Sequence, residues 1–132
     1  RAGGMLTRDY PEIISVPYIS LTDEGKADPL LRGISDPFRA YTGHNEAVGV
    51  APANATVLAY SDLAPVQMIR FGKNMYGTQF HPEVGLESIQ IRIEFYRGAY
   101  FPPNQHKQVL EECLSAYTDH TIVSRFLDTY RS

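Results

Sequence analysis

The nonapeptide Met75-Tyr-Gly-Thr-Gln-Phe-His-Pro-Glu83 constrains this chain more than any other stretch. Met75, Tyr76, Thr78 and Phe80 are residue types that favour strands. Pro82 has no N–H to give to a ladder and biases the residue before it away from helix, so the strand must end there. His81 and Glu83 therefore fall where a strand passes into a loop, the place at which ligand-handling groups collect in α/β sheets. An imidazole followed two residues later by a carboxylate is a pair in which the acid can orient and charge the base. Spacing alone favours a plainer account, with His81 capping a loop and Glu83 opening the next helix as a favourable N-terminal acid.

The flanking chain supplies the frame. Pro65 to Phe71 alternates apolar and polar residues, and Gly72-Lys-Asn74 is short enough to turn it directly into Met75 to Phe80 as an antiparallel hairpin. Glu12 to Leu21 is rich in β-formers and reads as one strand with an irregularity at Pro17. Thr22 to Gly25 and Pro52 to Ala55 read as turns, and Phe38 to Tyr41 and Thr56 to Ser61 as strands. Asp28 to Gly33 reads as a single helical turn, with Asp28 as N-cap, Pro29 at the first position and Gly33 as the stop.

Beyond Pro82-Glu83 the period changes. Leu86, Ile89, Ile93 and Tyr96 recur at helical spacing, predicting a helix from Gly85 to about Arg97, ended by Gly98. Val109, Leu110, Cys113, Leu114 and Tyr117 form a second stripe, with Asn104 available as a cap. Ile122, Val123, Phe126, Leu127 and Tyr130 form a third, capped by Thr118 or Asp119. The expected order is thus mostly antiparallel strands over about residues 12–80, then helices over about 85–131. The strand block has few helices to cover its second face, as if part of a doubly covered sheet were missing.

Composition narrows the function. At 132 residues the chain has the size of one domain and can bury a core. With 12 basic and 15 acidic side chains in no obvious block, it lacks the basic footprint of a nucleic-acid or membrane-surface protein. No apolar run approaches the roughly 20 residues that span a bilayer. A single cysteine rules out an internal disulfide and fits a reducing compartment, the cytoplasm by default. The chain starts at Arg1 with its first Met at Met5, which reads as a processed chain or a piece of a longer one.

Candidate chemistry is sparse outside His81 and Glu83. Cys113 is the one possible thiol nucleophile, but it lies in an apolar helical stripe, where a thiol is buried and inert. The Gly43-His-Asn-Glu46 loop offers His44, Asn45 and Glu46 as polar groups for a substrate, or as an ordinary solvated loop. His106 and His120 read as surface residues. His44, His81, Glu46 and Glu83 show no recognised metal-ligand spacing, so no metal and no cofactor is expected. There is no glycine-rich phosphate loop and no Gly-x-Ser-x-Gly turn.

Taken whole, Tyr76-Gly-Thr-Gln-Phe-His-Pro-Glu83 resembles the C-terminal motif of class I, triad-type glutamine amidotransferases, and of members like the glutaminase of GMP synthase in particular. Gly43-His-Asn-Glu-Ala-Val48, Ala51-Pro52 and the stretches 56–61 and 65–71 are similar to the family in the same order, so the likeness runs from about Glu12 to Leu86. The resemblance implies a partial flavodoxin-like α/β fold and a Cys–His–Glu triad that hydrolyses glutamine and releases ammonia to an acceptor. His81 would be the general base and acid and Glu83 its orienting group, with His44, Asn45 and Glu46 near the glutamine. The family's nucleophile sits in a Gly-x-Cys-x-Gly elbow upstream, which this sequence lacks. The chain is therefore expected to be the C-terminal part of such a domain, inactive alone, whose partner is the missing N-terminal half or a second copy. The alternatives are a non-catalytic binding module of the same fold and a related γ-glutamyl hydrolase.

Overall fold

The computed structural model describes residues 3–96 and 102–131. The expected helix stop at Gly98 and the helix end at Arg97 lie outside the described residues. The chain forms β1 (Met5–Thr7), β2 (Glu12–Ser15), β3 (Tyr18–Leu21), α1 (Asp23–Ala27), β4 (Phe38–Arg39), β5 (Thr42–His44) and β6 (Ala47–Val50). It continues through β7 (Ala55–Tyr60), β8 (Met68–Phe71), β9 (Met75–Thr78), α2 (Leu86–Phe95), α3 (His106–Ser115) and α4 (Thr121–Tyr130). The fold is mixed α/β. A five-stranded sheet runs in the order β4-β3-β7-β8-β9, with the pairs β2-β5 and β1-β6 beside it, and every pair is antiparallel.

The hairpin forms as its sequence dictates. Gly72 takes φ +57°, a conformation open to glycine, and pairs Phe71 with Met75 and Met68 with Thr78. The expected single strand from Glu12 to Leu21 is instead two. Val16 and Pro17 interrupt it, and the halves take different partners, β5 for β2 and β4 with β7 for β3.

The expected turn at Thr22 to Gly25 is the start of α1. Thr22 Oγ1 accepts from Gly25 N at 3.0 Å and donates to the Val57 carbonyl at 2.8 Å, so one hydroxyl both caps the helix and ties it to β7. Gly25 is required by proximity: a Cβ there would lie 2.0 Å from the Leu58 carbonyl oxygen. Gly25→Ala is expected to lower stability by about 3 kcal/mol, at the upper end of overpacking costs. Urea unfolding of the two chains measures the difference.

Two more stretches depart from expectation. Residues 42–48 form β5 and β6 across a tight connection at Asn45-Glu46, and the Gly-containing lead-in holds β1, which pairs with β6. The Asp28 cap holds, with its Oδ1 accepting from Leu30 N at 2.9 Å over a 3-10 turn at Pro29–Leu31. Gly33 follows at φ +76°.

The three C-terminal helices stand where their stripes place them, though Leu86, Tyr96, Leu114, Tyr117, Val123 and Leu127 of those stripes are exposed. Asn104 does not cap α3; a 3-10 turn at Pro103–Gln105 runs into it. Asp119 does serve α4, its Oδ1 accepting from Thr121 N at 2.8 Å. The core has two parts. Ile19, Leu58, Met68, Phe80 and Ile122 belong to one, under the five-stranded sheet and α4; Ile14, Val16, Tyr41, Ile89, Ile93 and Cys113 belong to the other, between the β2-β5 pair and α2 with α3. His81 sits at the seam, one residue past Phe80 of the first cluster and bridged to Tyr41 of the second.

Candidate active site

Main-chain bonds fix His81 before its side chain acts. Its N–H donates to the Tyr41 carbonyl at 2.8 Å, and its own carbonyl accepts from Val84 N at 3.3 Å, closing a turn around Pro82. Within that turn Glu83 folds back, so that its Oε1 lies 2.9 Å from His81 Nδ1. Two residues between strand and helix thus form a contact that fixes the ring's orientation and identifies Nδ1 as the oriented nitrogen. Arg92, from the last turn of α2, stands 4.0 Å from the same Oε1. Burial alone would raise the Glu83 carboxyl; its own backbone N–H, the imidazole and the guanidinium outweigh that and hold it below the usual range. Glu83 is ionised at neutral pH and faces the ring as an anion.

His81 and Arg92 line one cleft of about 180 Å³, whose other walls include Ile14, Thr42, Gly43 and Ile89. The cleft lies between the β2-β5 pair and α2, with the imidazole at its edge, half-exposed. It is small, and it has a polar side at His81, Arg92 and Thr42 and an apolar side at Ile14 and Ile89.

The other expected residues are placed as follows. His44 turns toward Glu12, with Nε2 2.5 Å from Oε2, and it is Gly43 that lines the cleft. Asn45 is exposed, and Glu46 pairs with Arg8 at 3.1 Å. Cys113 is fully buried in α3, and burial with the neighbouring Glu112 pushes its thiol up to about 11. It is expected to stay unreactive toward a thiol reagent such as a disulfide dye at neutral pH until the chain is unfolded, which timed labelling with and without denaturant measures. His106 is a correction: it is largely buried and meets Glu94 at 3.0 Å, joining α2 to α3. His120 is exposed and contacts Thr118. Among the described residues no three His, Cys, Asp or Glu side chains gather as a metal site would require.

Sequence reasoning missed two buried polar sets. Glu12, wholly buried, receives His44 and also Gln67 Nε2 at 3.0 Å, and Gln67 reaches Ser61 Oγ at 3.0 Å. Asp28 does more than cap: it binds the Arg70 guanidinium and receives the Tyr76 hydroxyl at 3.2 Å. Tyr76 Oη in turn meets Tyr130 Oη at 3.2 Å, and burial pushes the Tyr76 hydroxyl well above its usual range. The local pattern did not mark Gln67, which falls at a polar place of the alternating stretch Pro65 to Phe71.

The fold has close parallels. A glutamine amidotransferase from Thermotoga maritima superposes with a TM-score of 0.73 over 97% of this chain and 55% of that one, at 22% identity. A glutamine amido transferase from Methylobacillus flagellatus gives 0.70 over 95% and 51%, at 18% identity. At such identities these establish the fold, that of flavodoxin-like class I amidotransferase domains. Residues 13–97 match the family described as Glutamine amidotransferase class-I, and the chain belongs to that family. Curated relatives include a glutamine-hydrolyzing GMP synthase subunit of Methanococcus maripaludis, 40% identical over 84 residues, which are 62% of this chain and 42% of the relative. The corresponding subunit of Ignicoccus hospitalis is 45% identical over 58 residues, 43% of this chain and 31% of the relative. The chain thus spans less than half the length of these curated relatives. No helix among the described residues is long and apolar enough to cross a membrane.

Proposed function

We propose that this chain is the base-carrying C-terminal portion of a glutamine amidotransferase domain. The nucleophilic cysteine would come from an N-terminal segment outside these 132 residues. The observation that carries the reading is the 2.9 Å His81–Glu83 contact at the edge of a cleft, within the matched family segment. The buried Cys113 supports the second half of it, since a thiol held inside α3 cannot meet a substrate.

In this mechanism Glu83 holds Nδ1–H, leaving Nε2 to exchange protons in the cleft. Nε2 takes the thiol proton of the incoming cysteine. The thiolate attacks the side-chain amide carbon of glutamine, and Nε2–H protonates the departing nitrogen as the C–N bond breaks, giving ammonia and a γ-glutamyl thioester. Nε2 then takes a proton from water as its oxygen attacks the thioester carbon. The C–S bond breaks, glutamate leaves and the thiol is restored. The segment His44 to Glu46 would face the glutamine, through the exposed Asn45 and Glu46 and with His44 holding the strand beneath them. The relatives are named as subunits, which supports an ammonia acceptor on a separate partner chain.

The test is ammonia release from glutamine by this chain alone, and by the chain mixed with the N-terminal segment of the M. maripaludis relative. Activity in the mixture only is expected. Ammonia release by the chain alone would overturn the reading.

A further inference from the structure

Three polar side chains that no part of this mechanism uses, Glu12, Gln67 and Gln79, gather around the segment His44 to Val48. At its start, His44 Nε2 contacts the buried Glu12 carboxylate, which also receives Gln67 Nε2 at 3.0 Å. At its end, the Val48 N–H donates to Gln79 Oε1 at 2.8 Å. Gln79 is two residues before His81 in the same passage out of β9. Its backbone N–H donates to the Gln67 carbonyl at 2.9 Å, and its side-chain NH2 donates to the Val66 carbonyl. The bonds close a ring: Glu12 to His44, along the segment to Val48, to Gln79, to Gln67 and back to Glu12.

The ring ties the segment at both ends. Glu12 Oε1, Gln67 Oε1 and His44 Nδ1 are buried with no hydrogen-bond partner among the described residues. What the ring does fix is one distance: that between the 44–48 segment and the backbone that carries His81. The β5-β6 connection at Asn45-Glu46 is otherwise short and exposed, and the ion pair of Glu46 with Arg8 lies on the surface.

We infer that Gln79, supported by Glu12 and Gln67, is a positioning residue that sets the substrate-facing 44–48 segment in register with the general base. The inference rests on the amidotransferase reading above. Gln79 touches neither the cleft nor the reacting atoms; it acts through Val48 on one side and through its own backbone on the other.

The test has two arms, each run on Gln79→Ala and Gln79→Glu. Glutamate keeps the acceptor oxygen for Val48 N–H and puts an oxygen in place of the donor to the Val66 carbonyl. The first arm is amide hydrogen exchange on the 132-residue chain itself. Gln79→Ala is expected to speed exchange at Val48 about tenfold, the effect of losing one satisfied amide bond, while Ile69 in β8 and Ile89, whose N–H donates to the Gly85 carbonyl, keep their protection; Gln79→Glu is expected to restore Val48. Unchanged Val48 exchange overturns the inference, and so does an equal loss at Ile69 and Ile89, which would mark a general weakening of the fold. The second arm is glutamine hydrolysis in the mixture with the N-terminal segment. Gln79→Ala is expected to raise KM for glutamine about tenfold and to leave kcat within about threefold, with Gln79→Glu near the parent. A fall in kcat at constant KM overturns the positioning role. If the parent mixture releases no ammonia, the amidotransferase reading fails separately, and the exchange arm decides the ring on its own.

Discussion

Replacing His81 by alanine is expected to lower glutamine hydrolysis in the reconstituted mixture by at least about a thousandfold, within the range for loss of a nucleophile's activating base. In the proposed mechanism the thiol and its base come from different segments of one domain. The incoming thiol carries the electrons, but at neutral pH most of it is protonated, and among the described residues His81 is the one imidazole lining the cleft at the end of β9. Without the ring there is no proton acceptor for the thiol and no donor for the leaving nitrogen. Glu83→Gln is expected to cost less, about tenfold to a hundredfold. The ring stays in place and in reach, held by the His81 N–H bond to Tyr41, but loses the anion that stabilises its charged form. Steady-state ammonia release by the two variants gives the ratio. Equal losses would mean that the carboxylate sets the ring's tautomer outright.

The second large effect concerns stability. Asp28→Ala is expected to destabilise the chain by about 3 kcal/mol, the lower end of the cost of breaking a buried ion pair, because Arg70 is part-exposed and can recover some hydration. Three elements lose a partner at once. The 3-10 turn at Pro29–Leu31 loses its cap, Arg70 of β8 loses its counter-charge, and Tyr76 of β9 loses an acceptor. Tyr76 also carries α4, through an edge-on contact with Phe126 and its packing against Tyr130, whose hydroxyl donates to the Lys73 carbonyl at 2.7 Å. The hairpin that presents His81 and the last helix therefore loosen together. A fall of roughly 10 °C in Tm corresponds to that energy for a domain of this size. The double variant Asp28→Ala with Arg70→Met should recover part of it, since removing both charges avoids leaving one buried and unpaired. Thermal unfolding of the three chains tests both statements.

How far the sequence spoke depended on the range of the interaction. The β8-β9 hairpin was legible because its turn, its alternation and its Gly72 are all within a dozen residues. The Asp28 cap, the helical stripes and the burial of Cys113 were legible for the same reason: each depends on neighbours at fixed spacing. So was the His81–Glu83 pair, whose partners stand two residues apart across a proline. The rest depended on contacts between distant strands. Nothing near Glu12 shows that it will face His44, thirty-two positions on, or Gln67, fifty-five on. At the head of a strand a glutamate reads as a surface residue. Gly43 to Glu46 reads as a loop because Gly43 and Asn45 carry turn chemistry, yet β2 and β1 supply the partners that make β5 and β6 strands on either side of Asn45-Glu46. Pro17 signalled an irregularity; only pairing reveals that it separates two strands belonging to different sheets.

The central claim is that this chain supplies the base and its orienting carboxylate, and that the nucleophile comes from elsewhere. Covalent capture tests it most directly. The mixture of this chain with the N-terminal segment of the M. maripaludis relative is treated with a diazo-ketone analogue of glutamine, which alkylates the attacking thiol, and each component is weighed intact. The account predicts one adduct, on the added segment, formed with the parent chain and not with His81→Ala. An adduct on Cys113 of this chain, or one whose rate is indifferent to His81, would contradict it.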